Sequence, residues 1–238
     1  MLIGGLQKLT LLDYPGKIAC TVFTVGCNFR CGFCHNPELV NLETESQFGG
    51  SNSKLISEEY FFEFLEENIG QIDGVCITGG EPTIQGNLMD FIKEIKKRGF
   101  FVKLDSNGTN PETLKKLFEE KLVDYVAMDV KGPIEKYQEI VGREIDLEKI
   151  KQSVELIKNS GVDYEFRTTI VPGLHVIEDM VRVGEWLNGA KKYYLQQFRA
   201  QITLDKKFEN VVPFSDEEMM EFKDAVKSYV ELCELRLI

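Results

Sequence analysis

Three cysteines fall within eight positions of one another, in Gly26-Cys27-Asn28-Phe29-Arg30-Cys31-Gly32-Phe33-Cys34-His35-Asn36-Pro37. The C-x3-C-x2-C spacing sets three thiols on one short loop, and thiolates so placed make a tripod for a soft metal. Four chemistries match the string in part. A structural zinc would use Cys27, Cys31, Cys34 and His35, but closed zinc sites draw on two separated pairs of ligands, and adjacent Cys34 and His35 would meet one ion awkwardly. Cys31 to His35 also spell C-x-x-C-H, the c-type haem attachment string, which expects export. Burial as ordinary core cysteines is at odds with three thiols placed together directly after a strand-like segment. The fourth chemistry is a [4Fe–4S] cluster, which normally takes four thiolates. Three thiolates leave one iron open, as catalytic metal sites keep one position open.

The loop needs a scaffold, and the rest of the chain supplies a pattern for one. Short apolar, β-branched segments at Ala19–Val25, Gly74–Thr78, Phe101–Leu104, Tyr125–Val130, Tyr164–Val171 and Tyr193–Phe198 predict strands. Helical patterns fill the gaps. Ser57 caps a helix with Tyr60, Phe61, Phe64 and Leu65 on one face, and Leu88, Phe91, Ile92 and Ile95 stripe the next, which ends before Gly99. Asn110-Pro111 opens a third, and Asp146 caps Leu147 to Asn159. Val176 to Leu187 follows, and Ser215 with Glu218 forms a capping box for a C-terminal helix over about 215–230. Six strand–helix repeats predict an α/β fold with an open parallel sheet, a partial (βα)6 barrel, in a single domain spanning 1–238 with the cysteine loop at 26–37. Thr44 to Ser53, rich in Gly, Ser and Asn, reads as a surface loop.

Ligands of such sheets bind at the carboxyl ends of the strands, and each later strand end carries polar groups. Thr78-Gly79-Gly80-Glu81-Pro82 follows the second strand, its paired glycines allowing close backbone approach to a ligand. Asp105-Ser106-Asn107-Gly108-Thr109 follows the third, where Asn-Gly is by itself a turn signal. Met128-Asp129-Val130-Lys131-Gly132 follows the fourth. Arg167 on the fifth needs a carboxylate partner, from the protein or from a ligand. Gln196, Gln197 and Phe198 end the sixth. His175, after a Pro-Gly turn, reads as a surface histidine. Cys20, Cys76 and Cys233 read as buried small apolar residues.

The cysteine spacing, with Phe33 before the last cysteine, resembles the radical S-adenosylmethionine (SAM) superfamily. The resemblance implies that Cys27, Cys31 and Cys34 hold a [4Fe–4S] cluster and that SAM chelates its open iron. Reductive cleavage then yields a 5′-deoxyadenosyl radical that abstracts a hydrogen atom, with no general base, so a chain with two histidines is no obstacle. It further implies that Phe33 and His35 lie beside the cofactor and that the Gly79-Gly80-Glu81 backbone binds the SAM amino group. Asp105, Ser106 and Asn107 would contact the ribose, Asp129, Lys131 and Arg167 would lie near SAM, and Gln197 would edge the adenine. Asp105, Ser106 and Asp129 would hold a monovalent cation beside the SAM carboxylate, as in some relatives.

Within the superfamily, Asp13-Tyr14-Pro15-Gly16-Lys17 and Cys34-His35-Asn36-Pro37 resemble glycyl radical enzyme activases, nearest to those of anaerobic ribonucleoside-triphosphate reductase. Two departures bear on the pyruvate formate-lyase role. Ala19 stands where many activases have arginine, and Phe198 stands where pyruvate formate-lyase activases have histidine. The implied partners are a glycyl radical enzyme and a one-electron donor such as flavodoxin or ferredoxin. A radical SAM enzyme acting on a small molecule would need more polar groups lining the barrel. An iron–sulfur electron carrier or zinc-binding module would need a fourth protein ligand.

The composition narrows the remaining classes. The 238 residues carry 28 Lys and Arg against 39 Asp and Glu, a net charge of −11, which points away from nucleic acid. With 43% apolar residues a sizeable core is expected. Neither a signal sequence nor an apolar run of membrane-spanning length is evident, so the expected setting is the cytoplasm.

Overall fold

A computed structural model describes residues 1–41 and 55–237. The expected surface loop Thr44 to Ser53 lies outside them. The chain divides into two compact units: Met1–Asn28, Glu38–Ser106 and Asn110–Val126 in the first, and Phe29–Pro37, Asn107–Thr109 and Ala127–Ile238 in the second.

The first unit opens with β1 (Ile3–Thr10) antiparallel to β2 (Ala19–Thr24). Then come α1 (Glu58–Glu67), β3 (Gly74–Gly79), α2 (Leu88–Lys97), β4 (Phe101–Ser106), α3 (Pro111–Glu119) and the start of β5 (Tyr125–Asp129). β2, β3 and β4 run parallel, so their carboxyl ends share one edge. Strand side chains alternate between faces. Val22, Ile77 and Leu104 lie side by side on one face, all fully buried, while Thr21, Cys76 and Lys103 lie side by side on the other. The Ser57 hydroxyl accepts the Tyr60 N–H at 3.2 Å to start α1, and Asn110 accepts the Thr113 N–H at 3.2 Å to start α3. Phe61 of α1 stacks on Phe91 of α2, centroids 5.2 Å apart. Burying such a side chain contributes roughly 1.5–3 kcal/mol. Packing, more than helix propensity, therefore holds these ten-residue helices.

The second unit holds α4 (Tyr137–Val141), α5 (Leu147–Lys158), β6 (Asp163–Ile170), α6 (Ile177–Trp186), β7 (Lys192–Gln197), α7 (Asp216–Val226) and β8 (Leu232–Arg236). β6, β7 and β8 are parallel, with Thr168 opposite Leu195 and Leu195 opposite Leu235. The Asp146 carboxylate caps α5 through the Glu148 N–H, and Ser215 and Glu218 cap α7 reciprocally.

Among the described residues the fold is α/β, with a mainly parallel sheet in the strand order β1 to β8, the class that strand–helix alternation predicts. All six predicted strands form. Two further strands, β1 and β8, carry too little pattern to be predicted. In β1 only the terminal Ile3 and Thr10 are buried, and two glycines weaken the strand signal. The C-terminal helix stops at Val226, short of the expected position near 230. Beyond it the Tyr229 carbonyl accepts the Gly189 N–H, and the Glu231 and Leu232 N–H groups donate to Ala190 and Lys191, which draws the chain into parallel pairing with β7. No helix among the described residues is long and apolar enough to cross a membrane.

Candidate active site at the strand ends

In the first unit, β2 runs into Val25, Gly26 and Cys27, and this turn is held by backbone bonds. The Gly26 and Cys27 N–H groups donate to the Leu39 and Val40 carbonyls at 2.7 and 3.1 Å. The strand end after β3 packs against the same turn. Gly80 N–H donates to Thr24 O and Glu81 N–H to Gly26 O, each at 2.8 Å. A Cβ on Gly79 would lie 2.4 Å from Thr24 N, and one on Gly80 would lie 2.1 Å from Gly26 O. The glycine pair is thus required by the approach of protein backbone to the cysteine loop. Gln85, which the motifs did not single out, adds a side-chain bond from Nε2 to Val25 O at 2.7 Å.

The Glu81 carboxylate is buried, 1% exposed. Its Oε1 accepts from the Thr83 N–H and hydroxyl and from the Ser106 hydroxyl, at 3.0, 2.5 and 2.9 Å. This carboxylate therefore ties the ends of β3 and β4 and caps the short turn Pro82–Ile84. Asp105 forms an ion pair with Lys103, and Cys76 lies near both, its Sγ 3.7 Å from Lys103 Nζ and 3.8 Å from Asp105 Oδ1. Cys76 is buried as expected, but among charged groups.

In the second unit the cysteine loop continues. The Cys34 N–H donates to Cys31 O at 3.0 Å, closing a turn between the two. The C-terminal end of α4 supports it: Arg30 N–H donates to Val141 O at 2.8 Å, and Gly142, at φ +66°, approaches so closely that a Cβ would lie 2.6 Å from Arg30 O. Phe33 is buried edge-on against Phe208, centroids 6.2 Å apart, and the His35 ring lies 5.5 Å from that of Phe198. Asn107 folds back on Thr109, its Oδ1 accepting the Thr109 N–H and hydroxyl.

Charged residues at the end of β5 and within β6 form one array. Arg167 Nε donates to Asp129 Oδ1 at 2.9 Å, and Lys131 Nζ donates to Asp129 Oδ2 at 3.0 Å. Burial alone would raise the Asp129 carboxyl, but the Arg167 and Lys131 charges hold it well below the usual carboxylate range. Burial would likewise lower Lys131, but the Asp129 and Cys31 charges keep its ammonium above the ordinary lysine value. Arg167 thus has the protein carboxylate that the sequence left open between protein and ligand. Gln197 Nε2 donates to Phe214 O at 2.7 Å, beside a recess of about 620 Å³ lined by Gln197, Phe198, Arg199, Ala200, Gln201 and Pro213.

His175 is a correction to the sequence reading. It is buried, 1% exposed. Its Nδ1 accepts the Val171 N–H at 3.0 Å, so the proton sits on Nε2 and is donated to the Lys131 carbonyl at 2.8 Å. Burial lowers its pKa. The ring fixes the backbone that carries Lys131. A Pro-Gly turn alone gives no sign that the next side chain folds inward.

Residues 21–187 match the family model described as the radical SAM superfamily. The chain belongs to the radical SAM superfamily. It is 33% identical over 242 aligned positions, covering 100% of this chain and 96% of the relative, to a Methanocaldococcus jannaschii protein assigned as a glycyl-radical enzyme activating enzyme. It is 27% identical to the pyruvate formate-lyase-activating enzyme of Streptococcus mutans, over 80% of this chain and 73% of that one. Streptococcus suis SuiB shares the fold, with a TM-score of 0.65 at 12% identity, over 92% of this chain and 48% of SuiB.

A radical SAM enzyme requires a [4Fe–4S] cluster and SAM, and the donor chemistry fits. None of the six cysteines is in a disulfide, and Cys27 and Cys34 are partly exposed while Cys31 is buried. Among the described residues no three His, Cys, Asp or Glu side chains are gathered into a finished metal site. Asp105 and Asp129, two of the three expected cation ligands, each already hold a protein cation, and Ser106 donates to Glu81.

Proposed function

We propose that this radical SAM enzyme activates a glycyl radical enzyme, with Cys27, Cys31 and Cys34 as the protein ligands of its [4Fe–4S] cluster. The observation that supports this most is the disulfide-free three-cysteine loop, whose first turn is bonded to the Gly80 and Glu81 backbone. When bound, the cluster and SAM supply one-electron cleavage chemistry that takes a hydrogen atom from a backbone glycine of the partner. The chain's own residues bind and orient. The Gly79-Gly80-Glu81 backbone takes the SAM amino group, while the Glu81 side chain keeps that turn in place. Lys131 and Arg167 neutralise the SAM carboxylate, and Asp129 holds the two cations. Asp105, Ser106 and Asn107 serve the ribose, Phe33 and His35 border the cluster, and Gln197 edges the adenine at the recess after β7. A monovalent cation at Asp105, Ser106 and Asp129 would have to displace protein cations, so SAM binding should tolerate exchange of potassium for a bulky ammonium ion.

The finer reading is that the partner is anaerobic ribonucleoside-triphosphate reductase, with flavodoxin or ferredoxin as electron donor in the cytoplasm. It is supported by Phe198, buried between His35 and Phe208 where a pyruvate formate-lyase activase would carry histidine. Pyruvate formate-lyase is the second reading, favoured by the name of the Streptococcus mutans relative. Anaerobic reconstitution followed by dithionite and SAM tests the activity: methionine and 5′-deoxyadenosine should be released. A glycyl radical doublet in electron paramagnetic resonance should then develop with one of the two partners. A doublet with neither, despite SAM cleavage, rejects the activase assignment.

A further inference from the structure

Glu165 on β6 is completely buried. Its carboxylate is gripped by the guanidinium of Arg236 from β8, NH1 on Oε1 at 2.7 Å and NH2 on Oε2 at 2.8 Å. This parallel fork is the strong geometry for an arginine–carboxylate pair. The guanidinium also lies 3.9 Å above the ring of Tyr194 on β7, which restrains it further. Arg167 NH1 stands 3.9 Å from the same Oε1 that Arg236 NH1 contacts. Arg167 commits its Nε to Asp129, which in turn holds Lys131. Charges of alternating sign thus run from the last strand to the end of β5, and Arg167 sits between two carboxylates that compete for it.

We propose that Arg236 is a positioning residue for the SAM site: by satisfying Glu165 with both of its N–H forks, it keeps Arg167 on Asp129 and so sets the pose of Asp129 and Lys131. The inference rests on the assignment of Lys131 and Arg167 to the SAM carboxylate. Its physical basis is the cost of leaving a buried carboxylate without its main partner. Without Arg236, Glu165 draws on Arg167, and the guanidinium turns away from Asp129. Arg236 lies outside the matched residues 21–187, so the device belongs to the C-terminal strand of this chain.

The test measures SAM affinity by equilibrium dialysis on the full chain, reconstituted anaerobically and left oxidised so that nothing turns over. Arg236→Met should weaken binding about tenfold, the scale of coupling within a charge network. Adding Glu165→Gln to Arg236→Met should bring affinity back to within about twofold of wild type, because the competing charge is gone. A merely structural Arg236 predicts instead a lower melting temperature for Arg236→Met with the SAM affinity of the folded protein unchanged. Wild-type affinity in a folded Arg236→Met protein overturns the proposal. If Arg236→Met does not fold, Arg236→Lys replaces it, keeping the charge and losing the fork; intermediate affinity supports the proposal and wild-type affinity overturns it. If the wild-type protein itself binds no SAM while holding its cluster, the site assignment fails first and the proposal falls with it.

Discussion

The Lys103 ammonium and the Asp105 carboxylate are paired on one face of β4, with the lysine only 1% exposed and the Cys76 thiol 3.7 Å from its nitrogen. Two residues apart on a strand, they point the same way, and the buried position leaves the lysine little access to water. Removing one partner of a buried pair costs about 3–5 kcal/mol, whereas replacing both by apolar groups is often neutral. Lys103→Met should therefore destabilise the metal-free protein by about that amount in urea unfolding. Lys103→Met with Asp105→Leu should recover most of the loss. Equal stability of the single variant and wild type would show that the pair contributes nothing.

Cys27, Cys31 and Cys34 should behave as a set. Alanine at any of them should strip most of the iron and the visible absorption from reconstituted protein. Alanine at Cys20, where burial pushes the thiol up to about 12, should leave the iron content intact. The same holds for Cys233, pushed up by burial to about 11. Thiols held protonated in this way are poor metal ligands. Iron analysis of the five variants decides it.

Gly80 and Gly86 make a contrast in one short segment. A methyl on Gly80 meets the Gly26 carbonyl at 2.1 Å, a backbone atom with little room to retreat, whereas one on Gly86 meets nothing within 4 Å. Gly80→Ala should displace the cysteine loop and lower both melting temperature and iron uptake, by about 1–3 kcal/mol in stability as for an overpacked site. Gly86→Ala should change neither. The two melts, run side by side with iron analysis, test whether the glycine pair is needed for the loop.

His175 gives the stability a pH dependence of known sign. Its folded pKa is depressed by burial, so the unfolded chain takes up a proton near pH 6.5 while the folded chain does not. Stability from this group is full above pH 6.5 and is lost as pH falls below it, toward the lowered folded pKa. The melting temperature of wild type should drop between pH 7.5 and pH 5.5 more steeply than that of His175→Gln, the difference being the contribution of this histidine. Parallel slopes would mean that the imidazole is not held neutral.

Much of the fold was legible because its signals are local. The apolar stripe Leu88, Phe91, Ile92 and Ile95 repeats at the helical period and is buried as a unit. Ser57, Asn110, Asp146 and Ser215 each accept the N–H groups that their sequence positions predict. β1 and β8 were not legible. Each is a strand because a neighbour pairs with it, Leu6 with Val22 and Leu235 with Leu195, and its own side chains carry no clear alternation. The same limit applied to His175, whose burial comes from the Val171 N–H and the Lys131 carbonyl that receive it.

Legible in the amino-acid sequence by itself were the spacing of the three cysteines, the order of six strands and the helices between them, and the polar groups at the strand ends, because spacing, periodicity and capping act over a few neighbouring residues. Only the tertiary structure decided which charges meet. Arg236 and Glu165 are 71 positions apart, and Arg167 and Asp129 are 38. Electrostatic pairing depends on distance in space and on exclusion of water, and neither is written in the order of the residues.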